Sequence, residues 1–385
     1  MRQNLFGQLS TEDFLQNYWQ KKPLVIRGAF PDFEMPFSAE ELAGLACDTD
    51  VPARIIMEKG LPPENQPWQV KNSPLSENDF LTLPDSHCTF VVNDLERYIP
   101  ELGNLIEPFR FIPDWRIDDL MVSYAEDKGS VGPHTDEYDV FLIQGAGRRR
   151  WQIITRDDYP KDLIPDLPIA ILKEFEADEE WLLEPGDMLY LPPNIPHYGI
   201  AEGQCFTFSV GFRAPRTVDL LQNWLETLSQ NKALEQRFSD AERKPQENPG
   251  EITAPDLAAL SQQMFSAIDQ QKSNINIFLG KHLTETRGDL PQIEPDSSIQ
   301  SYHKDSDYER ETWLRFAYIE EDNRLHFFAD GQHLEFSLDY KEAIQELCED
   351  YFYPAGSLEK LIQNSAFLTL FNTFLANESI TPAID

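Results

Sequence analysis

Cysteine is scarce and scattered in this chain: Cys47, Cys88, Cys205 and Cys348 are the only four in 385 residues. They form no C-x-x-C pair and no disulfide framework, which points to a reducing, cytoplasmic setting. Positive charge is also short, with 32 Lys and Arg against 67 Asp and Glu and a formal net charge of −35. Phosphate backbones are bound by Lys/Arg patches, so nucleic acid is not expected as a direct ligand. Opposite fields speed encounter, so the charge favours a basic partner, although solubility alone explains it equally well. No apolar run is long enough to span a membrane. The N-terminal MRQNLFGQLSTEDF has neither an apolar h-region nor a small-residue cleavage site and is not expected to be a signal peptide. A P-loop, a G-x-G-x-x-G turn, a Ser/His/Asp triad, internal repeats and low-complexity tracts are missing as well.

What is present is a globular composition, 41% hydrophobic and 26% charged, with length for two or three domains. STEDFLQNYWQ, with Ser10 and Asp13 as a capping pair, predicts a helix that stops at Pro23, before a short buried strand at Leu24, Val25 and Ile26. SAEELAGLA predicts a second capped helix from Ser38. The runs DDLMVSYA, YDVFLIQ, RRRWQII, DMLYLP and CFTFSVGF, separated by GAG and EPGD turns, predict an antiparallel β-barrel or sandwich.

After Arg213-Ala214-Pro215 the pattern becomes helical. Leu220, Leu221, Trp224, Leu225 and Leu228 share one helix face, and Leu257, Leu260, Met264 and Ile268 share another beyond a Pro-rich loop at 240–256. Two such helices cannot enclose a core alone; they must pack on the barrel or on a second copy, and dimerisation is the expectation. A linker at 291–307 leads to two strands, ETWLRFAYI and RLHFFAD, and two helices, DYKEAIQELCEDYF and SLEKLIQNSAFLTLFNTFLAN, a winged-helix-like α+β pattern. Between Pro291 and Asp385 acidic residues outnumber basic ones 19 to 6, so protein contact is expected there rather than DNA binding.

Chemistry concentrates in GPHTDEYDVFLIQGAGRRRW, residues 132–151. Taken as strand, hairpin and strand, it puts His134, Asp136 and Tyr138 on one face and lets Gly145-Ala146-Gly147 turn the chain. On the return strand Arg149 shares its face with Trp151 and Ile153 and is predicted to point inward, while Arg148 and Arg150 point outward. An inward guanidinium is costly unless a protein or ligand carboxylate pairs with it. EPGDMLYLPPNIPHYGI adds a strand and a proline-stiffened loop that delivers His197. Two His and one Asp are the donor set of an iron(II) centre with open positions, whereas a structural zinc wants four closed ligands. H-x-D alone is common; combined with an inward Arg and a later His it becomes specific. His87, His282, His303, His326 and His333 lack such surroundings and read as structural or surface residues.

FLQNYWQKKPLVIRGAF, DWRIDDLMVSY, GPHTDEYDVFLIQGAGRRRW, LEPGDMLYLPPNIPH and FSVGFRAPR together resemble the bacterial JmjC-type ribosomal oxygenases, iron(II)- and 2-oxoglutarate-dependent arginyl hydroxylases of ribosomal protein uL16. The resemblance runs from about Phe14 to Arg216. It implies a double-stranded β-helix (cupin/JmjC jelly roll) catalytic domain over 1–215, a helical dimerisation region over 216–285 and a winged-helix-like domain over 286–385. It carries iron ligation onto His134, Asp136 and His197, and the distal carboxylate of 2-oxoglutarate onto Arg149. It also suggests a hydroxyl partner for that carboxylate on the DDLMVSYA strand, where Ser123 stands and Ala125 occupies a position at which a second serine can occur; the assisting residue is left open. Asp119 and Tyr138 are candidates for gripping the substrate arginine, although Asp119 could instead pair with a local basic residue. The implied reaction consumes O₂ and 2-oxoglutarate and releases succinate and CO₂. Other JmjC specificities (histidyl or asparaginyl hydroxylation, demethylation) and a non-enzymatic cupin binding module are the alternatives.

Overall fold

The N-terminal helices α1 (Thr11–Asn17) and α2 (Ala39–Leu45) begin where the serines place them. Ser10 and Ser38 each accept the backbone amide of the residue three on, whose carboxylate accepts the serine's own amide. The first helix ends at Asn17, six residues short of Pro23, with Tyr18 as its C-cap and Gln20 at a positive φ beyond it. The structure, a computed structural model, describes residues 5–58, 68–229, 234–286 and 301–383.

Nine strands form one antiparallel sheet: β1 (Leu24–Ile26), β2 (Ala53–Glu58), β3 (Trp68–Asn72), β4 (Cys88–Val92), β5 (Ile117–Ala125), β6 (Val140–Ile153), β7 (Glu179–Leu183), β8 (Met188–Leu191) and β9 (His197–Phe212). The order is β1-β8-β6-β9-β5-β4-β2-β3, with β7 also on β6. Phe141, Ile143, Tyr190, Phe208, Val210 and Phe212 point to one face, where α1 and the Phe6, Phe14 and Phe109 rings cover them. The other face encloses a cavity between two smaller apolar clusters, one around Val140, Leu142 and Trp151 and one around Ile56, Val91 and Ile171.

The expected hairpin at Gly145-Ala146-Gly147 is absent. β6 runs unbroken from Val140 to Ile153, pairing with β9 along its length, and the glycines mark two register shifts in that pairing. Gly147 has φ 63°, which a side chain rarely tolerates. Glycine spacing alone does not distinguish a turn from a bulge. The consequence is a change of phase: Val140 and Leu142 line the cavity in the first half of β6, Arg149 and Trp151 in the second. Uninterrupted alternation from Val140 would have brought Arg148 and Arg150 inward instead.

Three helices follow: α3 (Glu77–Leu81) and α4 (Gly103–Ile106) lie earlier in the chain, so these are α5 (Thr217–Ser229), α6 (Ala254–Gln271) and α7 (Ile275–Thr284). α5 buries Trp224 and Leu228 but leaves Val218, Leu221 and Leu225 exposed, and on α6 Leu257, Leu260, Met264 and Phe265 are exposed. The sequence pattern did not reveal α7, which packs its Gly280 against the Phe328 ring.

The C-terminal region contains more β structure than expected. β10 (Tyr308–Arg310) pairs with β14 (Phe352–Tyr353) and β15 (Ile380–Pro382), while β11 (Phe316–Glu321), β12 (Arg324–Ala329) and β13 (Gln332–Ser337) form a meander. The strand expected from Glu311 begins only at Phe316. α8 (Lys341–Glu349) is followed by α9 (Glu359–Ile362) and α10 (Ser365–Ala376) in place of one long helix. The break falls at Asn364, whose side chain accepts from the amides of Ala366 and Phe367 and so starts a new helix. Residues 291–300 of the expected linker lie outside the described residues. Among the described residues no helix is long and apolar enough to cross a membrane.

Candidate active site

His134 and Asp136 lie in the loop before β6, not on a strand: β6 starts at Val140, and His134 joins the sheet only through a bridge to His197. The two histidines exchange backbone hydrogen bonds, His134 N to His197 O at 3.0 Å and His197 N to His134 O at 2.9 Å. The Asp136 carbonyl accepts from Asn194 N at 2.7 Å. His197 is the first residue of β9, directly after the proline-stiffened loop. Each imidazole is oriented by a carbonyl, His134 Nδ1 by Gly132 O at 2.8 Å and His197 Nδ1 by Ile195 O at 2.9 Å. Both Nε2 atoms are thereby turned to one Asp136 oxygen, at 3.9 and 3.6 Å. One ligand atom from each residue falls within 4.8 Å of the others, the only such group of three or more His, Cys, Asp or Glu among the described residues. Burial, with His134 beside it, lowers the His197 pKa to about 4, so the ring is neutral, the form a metal binds.

Arg149 enters the same cavity from the second half of β6. It is 1% exposed, its Nε has no hydrogen-bond partner, and its Nη2 donates to Cys205 Sγ at 3.5 Å. It makes no ion pair among the described residues. Its neighbours satisfy their charges outside: Arg150 pairs with Glu180 at 2.9 Å and with Glu202, and Arg148 approaches Glu202 at 3.8 Å. Ser123, on β5, stands opposite Thr207 of β9, and both are buried on the cavity wall.

Beyond these residues the cavity wall carries Asp119 and Arg54. Asp119 accepts from Asn93 Nδ2 at 3.3 Å, and its pKa rises to about 6 through burial and the nearby Asp118 and Asp94. Tyr138, partly exposed at the rim, has its hydroxyl pKa raised by burial and by Asp136. All seven residues singled out from the sequence (Asp119, Ser123, His134, Asp136, Tyr138, Arg149 and His197) line this one cavity of about 330 Å³.

A JmjC domain model matches residues 104–220, and an AraC-like ligand binding domain model matches 175–285. The ribosomal protein uL16 3-hydroxylase of Escherichia coli K12 is 32% identical over 370 residues, 94% of this chain and 95% of that protein. The chain belongs to the JmjC ribosomal oxygenase family. A probable ribosomal oxygenase of Haemophilus influenzae is 45% identical over 216 residues, 55% of this chain and 52% of its own. Among solved structures, YcfD, a ribosomal oxygenase from E. coli, in complex with cobalt and 2-oxoglutarate, matches with a TM-score of 0.80 at 29% identity, covering 98% of this chain and 99% of that one. The catalytic sheet is accordingly of the JmjC/cupin type.

Within this JmjC cavity several residues escaped sequence reasoning. Thr207 and Ser209 sit on the cavity face of β9 but read in sequence only as members of a strand. Asn93 and Arg54 come from β4's end and β2, strands whose place beside β5 is set by tertiary pairing. Gly211 lets Asp119 lie close to β9: a Cβ there would be 3.1 Å from Asp119 Oδ1, a tight contact. Strand alternation through CFTFSVGF would have put Thr207, Ser209 and Gly211 on one face, and that was the available signal.

Proposed function

We propose that the protein is an iron(II)- and 2-oxoglutarate-dependent hydroxylase that oxidises an arginine of ribosomal protein uL16. One observation carries the reading: a buried guanidinium that meets no protein anion among the described residues shares a cavity with a two-histidine, one-carboxylate set. A pure binding scaffold has no need to keep both, and an unpaired buried cation is retained when a ligand supplies its anion.

In this reading His134 Nε2, His197 Nε2 and an Asp136 oxygen hold the metal, which leaves positions open on one side. The fit rests on the backbone carbonyls that fix both imidazoles with Nε2 free. Bound iron(II) would supply the activation of O₂ that the side chains cannot perform, with 2-oxoglutarate leaving as succinate and CO₂. Arg149 anchors the distal carboxylate of 2-oxoglutarate, assisted by the Ser123 or Thr207 hydroxyl. Trp151, Val140 and Leu142 keep water from the reacting centre. Asp119 and Tyr138 hold the substrate guanidinium, one by charge and one by its ring. The net charge of −35 and the Asp119 carboxylate in the cavity support a basic protein as substrate, and the name of the E. coli relative supports uL16.

The same reading assigns residues 1–215 to the catalytic domain, 216–285 to a helical dimerisation region and 286–385 to a winged-helix-like domain without a DNA-binding role. The exposed apolar faces of α5 and α6 support a homodimer, and the protein acts in the cytoplasm. The deciding experiment incubates the purified protein with iron(II), 2-oxoglutarate, O₂ and uL16. Succinate and the mass of one added oxygen on a uL16 arginine are expected; iron binding without succinate overturns the reading.

A further inference from the structure

Between Ile117 and Leu120 the pairing of β5 with β9 slips by one residue. Ile117 opposes Phe212 and Leu120 opposes Val210, so Asp118 and Asp119 together face Gly211. Such a bulge leaves backbone groups without ladder partners, and a buried group so left is costly. Side chains from elsewhere fill the gap. Glu96, 2% exposed, accepts from Leu120 N at 2.9 Å. Arg315, 6% exposed and just ahead of β11, donates to the Ile117 carbonyl from Nε at 3.1 Å and Nη2 at 2.9 Å, and from Nη2 to the Asp118 carbonyl. Arg213 draws the Asp118 carboxylate aside at 3.1 Å and also donates to Leu283 O at the end of α7. Asp119 is left as the bulge carboxylate that faces the cavity.

We infer that Arg315 is a positioning residue for substrate recognition: it reaches from the C-terminal region to the catalytic sheet and locks the β5 bulge that aims Asp119 into the cavity. This rests on the reading that the cavity takes a basic side chain. A guanidinium suits the task because its fixed fork bridges two successive carbonyls, whereas an ammonium is a single point. His134, Asp136, His197 and Arg149 lie on β6, β9 and the loop before β6 and make no hydrogen bond to Arg315. The C-terminal region thus acts on one half of the site only, the half that meets the protein substrate.

The test compares Arg315→Met and Arg315→Lys with the wild type in three assays. The KM for uL16 is expected to rise about tenfold in the first and about threefold in the second. Succinate formation without uL16 and the KM for 2-oxoglutarate stay within about twofold, a split that general loosening of the fold would not give. Hydrogen–deuterium exchange, read without any substrate, is expected to quicken over residues 117–121 and to stay unchanged over 134–136 and 197–201. Unaltered exchange at 117–121 in a folded variant, an unaltered KM for uL16, or a parallel loss of 2-oxoglutarate affinity overturns the proposal. Wild-type protein that consumes 2-oxoglutarate but leaves uL16 unmodified overturns the substrate reading instead, and the exchange result still decides Arg315. Should Arg315→Met not fold, Arg315→Lys carries all three readings.

Discussion

At the floor of the cavity Arg149 is buried beside Cys205 and Trp151 and meets no carboxylate among the described residues; at the mouth Asp119 meets an asparagine and no cation. The two ends are opposite in sign and alike in being incomplete. Elsewhere this chain pairs its charges readily, as Arg150 does with Glu180 and Glu202. On the proposed function, the contrast says where outside charge would go: an anion beside Arg149, a cation beside Asp119. A metal-binding set between them would make two molecules meet at one point, each held by the charge it alone can complete.

The strongest way to break this picture is at the point where the ends meet. His134→Ala is expected to lower succinate formation by about a thousandfold or more while circular dichroism shows the fold retained. A smaller loss would mean that the metal is held elsewhere. At the floor, Arg149→Met is expected to weaken 2-oxoglutarate by about thirtyfold or more, seen as a raised KM. It should also raise the melting temperature of the ligand-free protein by a few degrees, since a buried unpaired charge is replaced by an apolar chain of similar volume. Lower ligand-free stability would show that Arg149 is satisfied by the protein itself.

At the mouth, Asp119→Asn is expected to raise the KM for uL16 about tenfold and leave turnover without uL16 unchanged. Its pH dependence has a definite sign. The folded-state pKa of about 6 lies above the unfolded value, so the folded state binds the proton more tightly. Ionisation therefore costs stability as pH rises from about 4 to about 6, and Asp119→Asn removes that cost. The melting temperature of the variant relative to wild type should rise through this window and level off above it. In the wild type the KM for uL16 should rise as pH falls below about 6, where the carboxylate loses its charge. The smallest effect on turnover is expected from Leu225→Glu on α5. Light scattering should show a shift from dimer to monomer, with turnover within about twofold; a wild-type monomer at micromolar concentration would remove the dimer assignment.

Much of the site was legible because its signals are local. Arg149 was correctly turned inward by its apolar companions Trp151 and Ile153, even though the hairpin invoked to carry it does not exist. Two errors cancelled: the chain does not reverse at Gly145–Gly147, but the bulges change its phase just as a turn would. His134 and Asp136 were placed on a strand because alternation continues through Tyr138, whereas the backbone of the Asp136 loop is tied instead to Asn194. Thr207 escaped because its importance comes from lying opposite both Ser123 and Gln144, two pairings separated from it by tens of residues. The third strand of the C-terminal meander, β13, was missed because QHLEFS is a half-buried edge with mixed polarity, and its place depends on β12 beside it. Composition foretold an acidic surface but not that Asp119 would face the cavity.

The bulged stretch of β6 works like a splice between two reading frames. Upstream of it, even-numbered residues address the cavity; downstream, odd-numbered ones do. Each half of the strand can therefore be spelled for its own purpose, apolar beside the metal-binding set and cationic at the floor, without either dictating the other's spelling. Straightening the strand at its full length would merge the frames and turn Arg149 out of the cavity, with every letter of the strand intact.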